Sequence, residues 1–481
     1  MPHISKLANG RSSKRTPPPA DFITERVNDV RRPSRGLAPF REIGDIPGED
    51  GPLAGTRNVV NFIKRGNAHW FDLRERFGTV YRTRFGPQTV VCVSDPELVA
   101  QILHNENRAW SAAIAWHTIL EGLDEKSATL DMPLTLDFEL HREARKLLQP
   151  AFSPSSLARY VDAVTPMFER EIERWIRNGH VMFKRDVRRL LANVSARIFL
   201  GIENEREGEL LDKALADYWA GPLALVKNRL ISPKWRRATA GYRRLRDSLR
   251  EKVEARRSQG GDDLFSQLCA ESRGVSWIDD DALVRYFIGI MVGAFDTTSS
   301  GTTSTAYLLA KNPEWQERLR EEAFAAERHL ITYEGTKRLE LLDRVWKETL
   351  RLYPVASHLP RRALFDTQLG RWKLPAGAYV LVLIGAALQD PTWDTDPLRF
   401  DPDRFLPERA EDRKRKGLFL PFGAGPHVCP GKQLTFAEIK AFWHTLLTRC
   451  RFSLSTDYEA DHSYTPVGIV SGDVALKVER L

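Results

Sequence analysis

Cysteine is scarce in this chain of 481 residues, which contains only Cys92, Cys269, Cys429 and Cys450. Four thiols are too few for a disulfide framework, which is typical of proteins from reducing compartments, and we expect a cytoplasmic protein. Long apolar runs are missing as well. No stretch of about 18 apolar residues occurs, so the sequence predicts no membrane-spanning helix.

A large excess of one charge is also absent. The 72 basic and 64 acidic residues give a formal net charge of +8, which is small for this length and argues against a nucleic-acid-binding protein. Such a charge still favours an acidic protein partner or a membrane surface. With 42% hydrophobic and 28% charged residues, the composition is globular and excludes disordered and fibrous classes. Length alone predicts about three domains.

Two basic segments stand out from this average. Residues 1–45 begin with basic residues and no acidic ones, and we predict a flexible N-terminal arm, with an organellar transit peptide as the alternative. The span 227–257 carries twelve Lys or Arg residues. It is interpreted as a solvated helix face, and the alternative is a basic surface that contacts a membrane peripherally or captures anionic substrates. Residues 46–481 show neither repeat nor linker.

The hydrophobic patterns predict a mainly α-helical protein with minor β-structure. Residues 80–85 and 89–93 alternate around a turn, as in a strand pair. Apolar residues then recur three and four apart over most of 97–350, with clear helices at 158–175 and 280–309. Short strands are predicted near 379–383 and within 467–478.

The segment Phe422–Gly431 (FGAGPHVCPG) combines a lone cysteine with three glycines, directly before a helical pattern. The glycines let the backbone approach a flat surface, and a helix N-terminus favours a thiolate at Cys429. A single thiolate on an open, glycine-lined surface suits axial ligation of haem iron. Zinc would require further cysteines at close spacing, and there are none.

This segment resembles the haem-binding loop of the cytochrome P-450 superfamily, Phe-x-x-Gly-x-His/Arg-x-Cys-x-Gly. The resemblance implies a single large cytochrome P-450 fold, mainly α with minor β, in place of the three domains that length suggests. It also implies haem b as cofactor, Cys429 as its axial iron ligand, and cofactor contacts from Phe422, Gly423, His427 and Gly431.

Further motifs follow in the order that the family has them. Glu348 and Arg351 match its Glu-x-x-Arg signature and Arg404 completes the structural trio, which would hold the haem-loop region. Other basic residues match haem propionate ligands of the family: His141, Arg145 and Arg361, with Arg362 as the alternative to Arg361.

The segment 293–298 resembles the oxygen-activation motif of the family, which makes Asp296 and Thr297 the candidate catalytic residues. Ala294 stands where the family usually has glycine. A run of hydroxyl-bearing residues follows at 299–303, and because hydroxyls compete for backbone carbonyls, we expect the helix to loosen here.

The resemblance implies a monooxygenase that consumes O2, two electrons and two protons. No nucleotide-binding glycine motif is present, so we expect electrons from a separate ferredoxin or flavodoxin and its reductase. An acidic carrier would suit the basic residues expected on the Cys429 side, namely Arg142, Lys146, Lys432 and 413–416. The alternatives are a haem-thiolate isomerase or dehydratase, and a non-catalytic haem-binding sensor.

By family position, the substrate pocket is largely apolar, which favours a hydrophobic small molecule of terpenoid, steroid, retinoid or fatty-acid type. Its predicted lining residues are Trp116, Ile119, Leu120, Phe287, Ile290, Met291, Phe295, Val355, Ser357, His358, Leu359 and Ile469 with the rest of 467–470.

Overall fold

The computed structural model describes residues 43–51, 53–120, 132–219, 221, 228, 230–327, 329–393, 396–457, 459–460, 462–464 and 467–481. Most of the predicted N-terminal arm (1–42), together with Lys227 and Arg229 of the basic span and residues 465–466, lies outside the described residues.

Helices make up most of the described chain. They are α1 (Ala54–Arg65), α2 (Asn67–Phe77), α3 (Pro96–His104), α4 (Ala112–Leu120), α5 (Phe138–Lys146), α6 (Pro154–Asn178), α7 (Phe183–Leu200), α8 (Glu205–Trp219), α9 (Pro233–Gln259), α10 (Leu264–Glu271), α11 (Asp280–Lys311), α12 (Pro313–Ala326), α13 (Tyr333–Thr336), α14 (Glu340–Leu352), α15 (Ile384–Leu388) and α16 (Lys432–Leu447).

The strands are short. They are β1 (Val80–Phe85), β2 (Gln88–Val93), β3 (Trp110–Ser111), β4 (His180–Met182), β5 (Leu359–Ala363), β6 (Thr367–Leu369), β7 (Trp372–Leu374), β8 (Tyr379–Val382), β9 (Cys450–Leu454), β10 (His462–Tyr464), β11 (Gly468–Val470) and β12 (Ala475–Arg480).

Five strands form the largest sheet, in the order β1-β2-β8-β5-β3. Only β2 and β8 run parallel in it, and their pairing aligns Val91 with Val380. The order β4-β12-β9 makes a second sheet, and β6-β7 and β10-β11 are two-stranded. The predicted strand pair and the mainly α fold with minor β are confirmed.

The long helix α11 crosses the helical core. Asp279 caps its N-terminus by accepting a hydrogen bond from the Ala282 N–H at 2.7 Å, and acidic residues fill its first turn, as the helix dipole favours. The expected loosening is wrong. The helix is unbroken because hydroxyls such as those of Thr302 and Thr303 donate to carbonyls four residues earlier without displacing the helical pattern.

Candidate active site

The loop before α16 folds back on itself around Cys429. The Cys429 N–H donates to the Phe422 carbonyl at 2.9 Å, which closes the loop. Gly423 and Gly425 have φ angles of +72° and +65°, which favour glycine. A side chain at Gly425 would also start 2.3 Å from the Leu103 carbonyl oxygen. The predicted need for glycines in this loop thus has a steric basis.

Burial and neighbouring groups shift the pKa of the Cys429 thiol in opposite directions. Burial raises its pKa, whereas hydrogen bonds from the Gly431 and Lys432 N–H groups and the nearby Arg145 charge lower it. The helix N-terminus supplies the predicted donors, but burial prevails in the chain alone and the pKa is raised. A bound metal cation reverses this balance, because a coordinating thiol loses its proton.

Four residues predicted to bind haem propionates meet beside this loop, and we call His141, Arg145, Arg361 and His427 the basic cluster. The rings of His141 and His427 lie 4.1 Å apart between centroids. Arg145 donates to the Val428 carbonyl at 2.9 Å, next to Cys429. The charges of Arg145 and Arg361 both act on His141 and on His427, which places the four residues in one electrostatic neighbourhood.

Asp137 is the anion that the structure places in the basic cluster. Its Oδ1 lies 3.3 Å from His427 Nε2, and its carboxylate accepts hydrogen bonds from the Ala112 and Ala113 N–H groups at the start of α4. Burial opposes ionisation of Asp137, but the hydrogen bonds from His427, Ser111 and the backbone prevail and lower its pKa. Asp137 therefore joins the loop to the helix that carries Trp116.

Burial makes the basic cluster electrostatically costly. It lowers the pKa of His141 to about 3 and that of Arg361 to about 10. The Arg361 side chain is deep in the protein, and its Nη1 donates to the neighbouring Pro360 carbonyl at 2.8 Å. The basic cluster thus contains two guanidinium groups, whereas Asp137 supplies one carboxylate, whose charge acts on Arg361. A group that brings two carboxylates, as haem b does, fits this excess of positive charge.

A second buried set, the Glu348 cluster (Glu348, Arg351, Arg404 and Glu411), is internally paired. Glu348 accepts from Arg351 Nε at 2.7 Å and from Arg404 Nε at 3.0 Å. Arg404 also pairs with Glu411 at 3.0 Å. The Glu348, Arg351 and Arg404 side chains have no exposed surface. The sequence motif therefore forms a buried ion-pair network and not a surface pair.

On α11, the oxygen-motif residues point in two directions. Gly293 is exposed although its helix is largely buried, and nothing lies within 4 Å of the position a side chain would take. Thr297, one turn later on the same face, donates to the Gly293 carbonyl at 3.0 Å. Asp296 instead accepts from Arg188 of α7 at 2.8 Å, and Arg188 also binds Asp212. Open space therefore adjoins Thr297, while Asp296 is held by an arginine.

The comparisons with known proteins decide the family. The family model described as Cytochrome P450 matches residues 47–479. The chain belongs to the cytochrome P450 family. A provisionally named cytochrome P450 136 of Mycobacterium tuberculosis is 29% identical over 96% of this chain and 94% of its own. Cyclooctat-9-en-7-ol 5-monooxygenase of Streptomyces melanosporofaciens is 29% identical over 86% of this chain and 89% of its own.

The solved structure titled retinoic acid bound cyanobacterial CYP120A1 shares this fold, with a TM-score of 0.82 and 24% identity over 90% of this chain and 99% of its own. The protein is thus a cytochrome P450 oxidoreductase, and its cofactor is haem b. In the described part of the chain, no group of three or more His, Cys, Asp or Glu residues is arranged to hold a metal ion. Over the same residues, no helix combines the length and apolar character of a membrane span.

The structure places three of the predicted pocket residues of this P450 in its apolar core. Phe287, Met291 and Phe295 are buried on one face of α11, where Phe287 stacks against Phe265 of α10 with centroids 4.6 Å apart. Helical residues two apart differ by about 200° in direction, so this face is nearly opposite Gly293. Because apolar residues stand at consecutive positions of α11, the sequence does not show which face of the helix borders open space. The three are core residues here.

The other predicted pocket residues fall into two groups. Trp116, Ile119, Val355, Leu359 and Ile469 are half-buried apolar side chains, and all five pack against the two main apolar cores. The second group consists of buried residues, which are Leu120, Ile290 and Ser357, while His358 is half-buried. Half-buried apolar groups within the fold are the better candidates for contact with a ligand.

The predicted donor-docking residues are less cationic than the sequence suggests. Lys146 pairs with Glu143 at 2.8 Å, and Arg142 lies 3.7 Å from the same carboxylate. Arg415 pairs with Asp95 at 2.8 Å. Lys432 lies 5.7 Å from the Phe422 ring. The surface on the Cys429 side therefore mixes both charges.

The basic span 227–257 forms most of α9, as predicted for a helix face. Several of its arginines are paired, for example Arg244 with Asp217 at 2.8 Å and Arg256 with Asp263 at 3.0 Å. At its start, Leu230 and Ile231 are 93% and 69% exposed. The unusual feature of this span is the exposure of two apolar side chains near its N-terminal end, and not the charge along the helix.

Three residues of these sites escaped sequence reasoning. Asp137 lies four residues before His141, a spacing that puts both on one side of a helix start. Glu411 follows Arg404 closely in the chain, without periodicity. Arg188 is one of three basic residues within 185–189, and nothing in the sequence distinguishes it from Arg189, which pairs with Glu171.

Proposed function

We propose that this P450 hydroxylates a hydrophobic small molecule of terpenoid, steroid, retinoid or fatty-acid type. The observation that carries the proposal is the open face of α11 at Gly293, with the Thr297 hydroxyl beside it. The half-buried apolar residues Trp116, Val355 and Ile469 support a hydrophobic ligand. The names of relatives point the same way, since they include a cyclooctat-9-en-7-ol monooxygenase and a lanosterol 14-alpha demethylase.

We assign haem binding to residues at two ends of the site. Cys429 would ligate the iron, and the N–H groups of Gly431 and Lys432 would stabilise its thiolate. The basic cluster would bind the propionates, with Asp137 orienting His427. When bound, haem b supplies an iron centre at which O2 is reductively cleaved so that one oxygen atom enters the substrate.

Proton delivery is assigned to Thr297, whose Oγ1 donates to the Gly293 carbonyl beside the open face of α11 and would turn to that face to deliver its proton. Asp296 would resupply this proton from the solvent side. Its carboxylate is bound to Arg188, so the transfer requires that this ion pair open. The half-buried position of both side chains agrees with a path between solvent and site.

Electrons are proposed to come from a ferredoxin or flavodoxin and its reductase, which dock on the Cys429 side. The exposed basic residues Arg142, Lys146 and Lys432 support an acidic donor. A cytoplasmic location accords with the four unpaired thiols. Peripheral membrane contact is proposed at Leu230 and Ile231, which precede the basic start of α9.

A ligand screen tests this function. Purified holoprotein is titrated with a terpenoid, steroid, retinoid and fatty-acid library, and Soret shifts identify ligands. Each ligand is then incubated with NAD(P)H and a surrogate ferredoxin and reductase. We expect a product heavier by one oxygen atom. Product without NAD(P)H consumption would indicate an isomerase or dehydratase, and binding without turnover with every donor would indicate a sensor.

The role of Thr297 is tested by Thr297→Ala. We expect NAD(P)H consumption to persist while product per NAD(P)H falls and hydrogen peroxide rises to match, because protons are no longer directed to the oxygen. The matched control is Thr302→Ala, which removes a fully buried hydroxyl bonded within the same helix at 2.8 Å. Equal product yield in Thr297→Ala and the parent would make Thr297 a packing residue.

A further inference from the structure

The hydroxyl groups in the second half of α11 do not all bond in the same way. Thr302, Thr303 and Ser304 donate to carbonyls of their own helix, at 2.8, 2.7 and 3.1 Å. Ser300 instead donates out of the helix, to the backbone carbonyl of Gly468 in β11. The Ser300 side chain is 1% exposed. This bond therefore joins two elements in a place that water does not reach.

Gly468 is held from its other side as well. Its N–H donates to the Val355 carbonyl at 2.9 Å, in the connection between α14 and β5. Because Gly468 is buried, each of these backbone groups needs a protein partner. The Gly468 peptide thus ties β11 to both α11 and the connection between α14 and β5. We call Ser300, Val355 and Gly468 the clamp.

The helix side of the clamp is itself fixed. A side chain at Gly301 would begin 2.4 Å from the Trp346 ring, so α11 rests directly against α14 at this point. Thr305, one turn later, donates to the Thr349 hydroxyl of α14 at 3.2 Å. The hydroxyl of Ser300 therefore projects from a rigid support, and β11 is the element whose position depends on it.

Two residues at the clamp, Val355 and Ile469, belong to the predicted lining of the substrate pocket, which we call the wall of the candidate site. Val355 belongs to the clamp, and Ile469 follows Gly468 directly. Both are half-buried apolar residues that pack against the same core. Thr297 lies three residues before Ser300 on α11. The clamp thus fixes two wall residues relative to the helix that carries the proposed proton donor.

We propose that Ser300 is a positioning residue for substrate specificity, which sets the distance of Ile469 and Val355 from α11. The effect on substrate choice rests on the proposed function, whereas the clamp itself is testable without turnover. Loss of the hydroxyl removes this donor from the buried Gly468 carbonyl, and β11 shifts so that the carbonyl finds another. The site then fits large ligands less well, while the iron ligand and the basic cluster stay in place.

The first test is hydrogen–deuterium exchange of the holoprotein. In Ser300→Ala we expect peptides covering 467–471 and 353–358 to exchange about threefold faster or more, because the clamp opens locally. The matched control is Ser304→Ala, whose fully buried hydroxyl bonds only within α11. Parent-like exchange in Ser300→Ala would overturn the clamp, as would equal acceleration in both variants.

The second test compares ligands of different size by spectral titration. Imidazole reports on the iron alone, whereas the bulky azole clotrimazole must also fit the wall. We expect Ser300→Ala to weaken clotrimazole about fivefold, the effect of roughly one hydrogen bond, and to leave imidazole unchanged. Parallel changes for both azoles would overturn the proposal. Neither test requires hydroxylation, so failure of the proposed function would not be mistaken for failure of the clamp.

Discussion

The Glu348 cluster and the basic cluster are both charged. The Glu348 cluster is buried throughout and paired within itself, whereas Arg145 and His427 of the basic cluster are half-buried. Two glutamates face two arginines in the Glu348 cluster, and ion pairs of 2.7–3.0 Å join them. The basic cluster contains two arginines, Arg145 and Arg361, and the charge of Asp137 acts on Arg361 and on both histidines. Burial then pushes the pKa of His141 to about 3 and that of Arg361 to about 10.

This difference separates charges that stabilise the fold from charges that are available to bind a ligand. A buried charge that finds its partner within the chain stabilises the fold only if the partner stays, and it has no capacity for a ligand. A buried cation without a full complement of anions is costly in the chain alone and becomes favourable when an anionic group arrives. We therefore propose that the basic cluster is part of the cofactor site and that the Glu348 cluster supports it.

The largest expected effect on stability comes from breaking the Glu348 cluster. Glu348→Gln removes the charge shared by Arg351 and Arg404, which remain buried without it. We expect a loss of about 3–5 kcal/mol in stability, seen as a lower denaturant midpoint or as insoluble protein. The control is Glu340→Gln, at an exposed position of the same helix. A midpoint unchanged by Glu348→Gln would remove the distinction between the two clusters.

A second variant separates the proposed iron ligand, Cys429, from the basic cluster. Cys429→Ser should abolish the red-shifted Soret band of the reduced carbon monoxide complex, because that band requires a thiolate ligand. The basic cluster is untouched, so some haem should remain bound. Cys450→Ala, at a buried cysteine bonded to the Leu446 carbonyl, should keep the band. If Cys429→Ser keeps it too, another residue ligates the iron.

An effect that depends on pH sharpens the comparison with a lone buried carboxyl. Burial alone raises the pKa of Glu438 to about 8, and its Oε1 lacks a hydrogen-bond partner in the described structure. Between pH 5 and 8 the unfolded chain loses this proton and the folded chain keeps it, so the free energy of unfolding falls as pH rises, by at most about 1.4 kcal/mol per pH unit.

Glu438→Gln should remove this slope and gain stability relative to the parent as pH rises. Urea unfolding from pH 5 to 8 measures it. Glu348→Gln should destabilise throughout the same range, because it removes the carboxylate that pairs with two arginines. An identical pH profile for Glu438→Gln and the parent would show that Glu438 is not buried as a neutral acid.

The sequence predicted local motifs better than the directions in which side chains point. The Glu348–Arg351 pair and the glycine-lined loop around Cys429 could be predicted, because the spacing of residues on a helix and the positions of glycines are visible in the sequence. Phe287, Met291 and Phe295 could not be separated from Ile290 or Thr297, because α11 is apolar on several sides and only its packing shows which face is open. The bond from Ser300 to Gly468 and that from Arg188 to Asp296 depend on chain segments far apart in sequence.

The central claim is that the basic cluster is held for the two haem carboxylates, and haem transfer from the holoprotein to apomyoglobin measures it most directly. Arg361→Gln should release haem about tenfold faster or more, equivalent to about 1.4 kcal/mol. Arg362→Gln is the matched control, since this adjacent buried arginine faces the other side of β5 and donates to the Gly377 carbonyl at 3.2 Å. Its release rate should stay near that of the parent. Parent-like release from Arg361→Gln, or faster release from Arg362→Gln alone, would contradict the account.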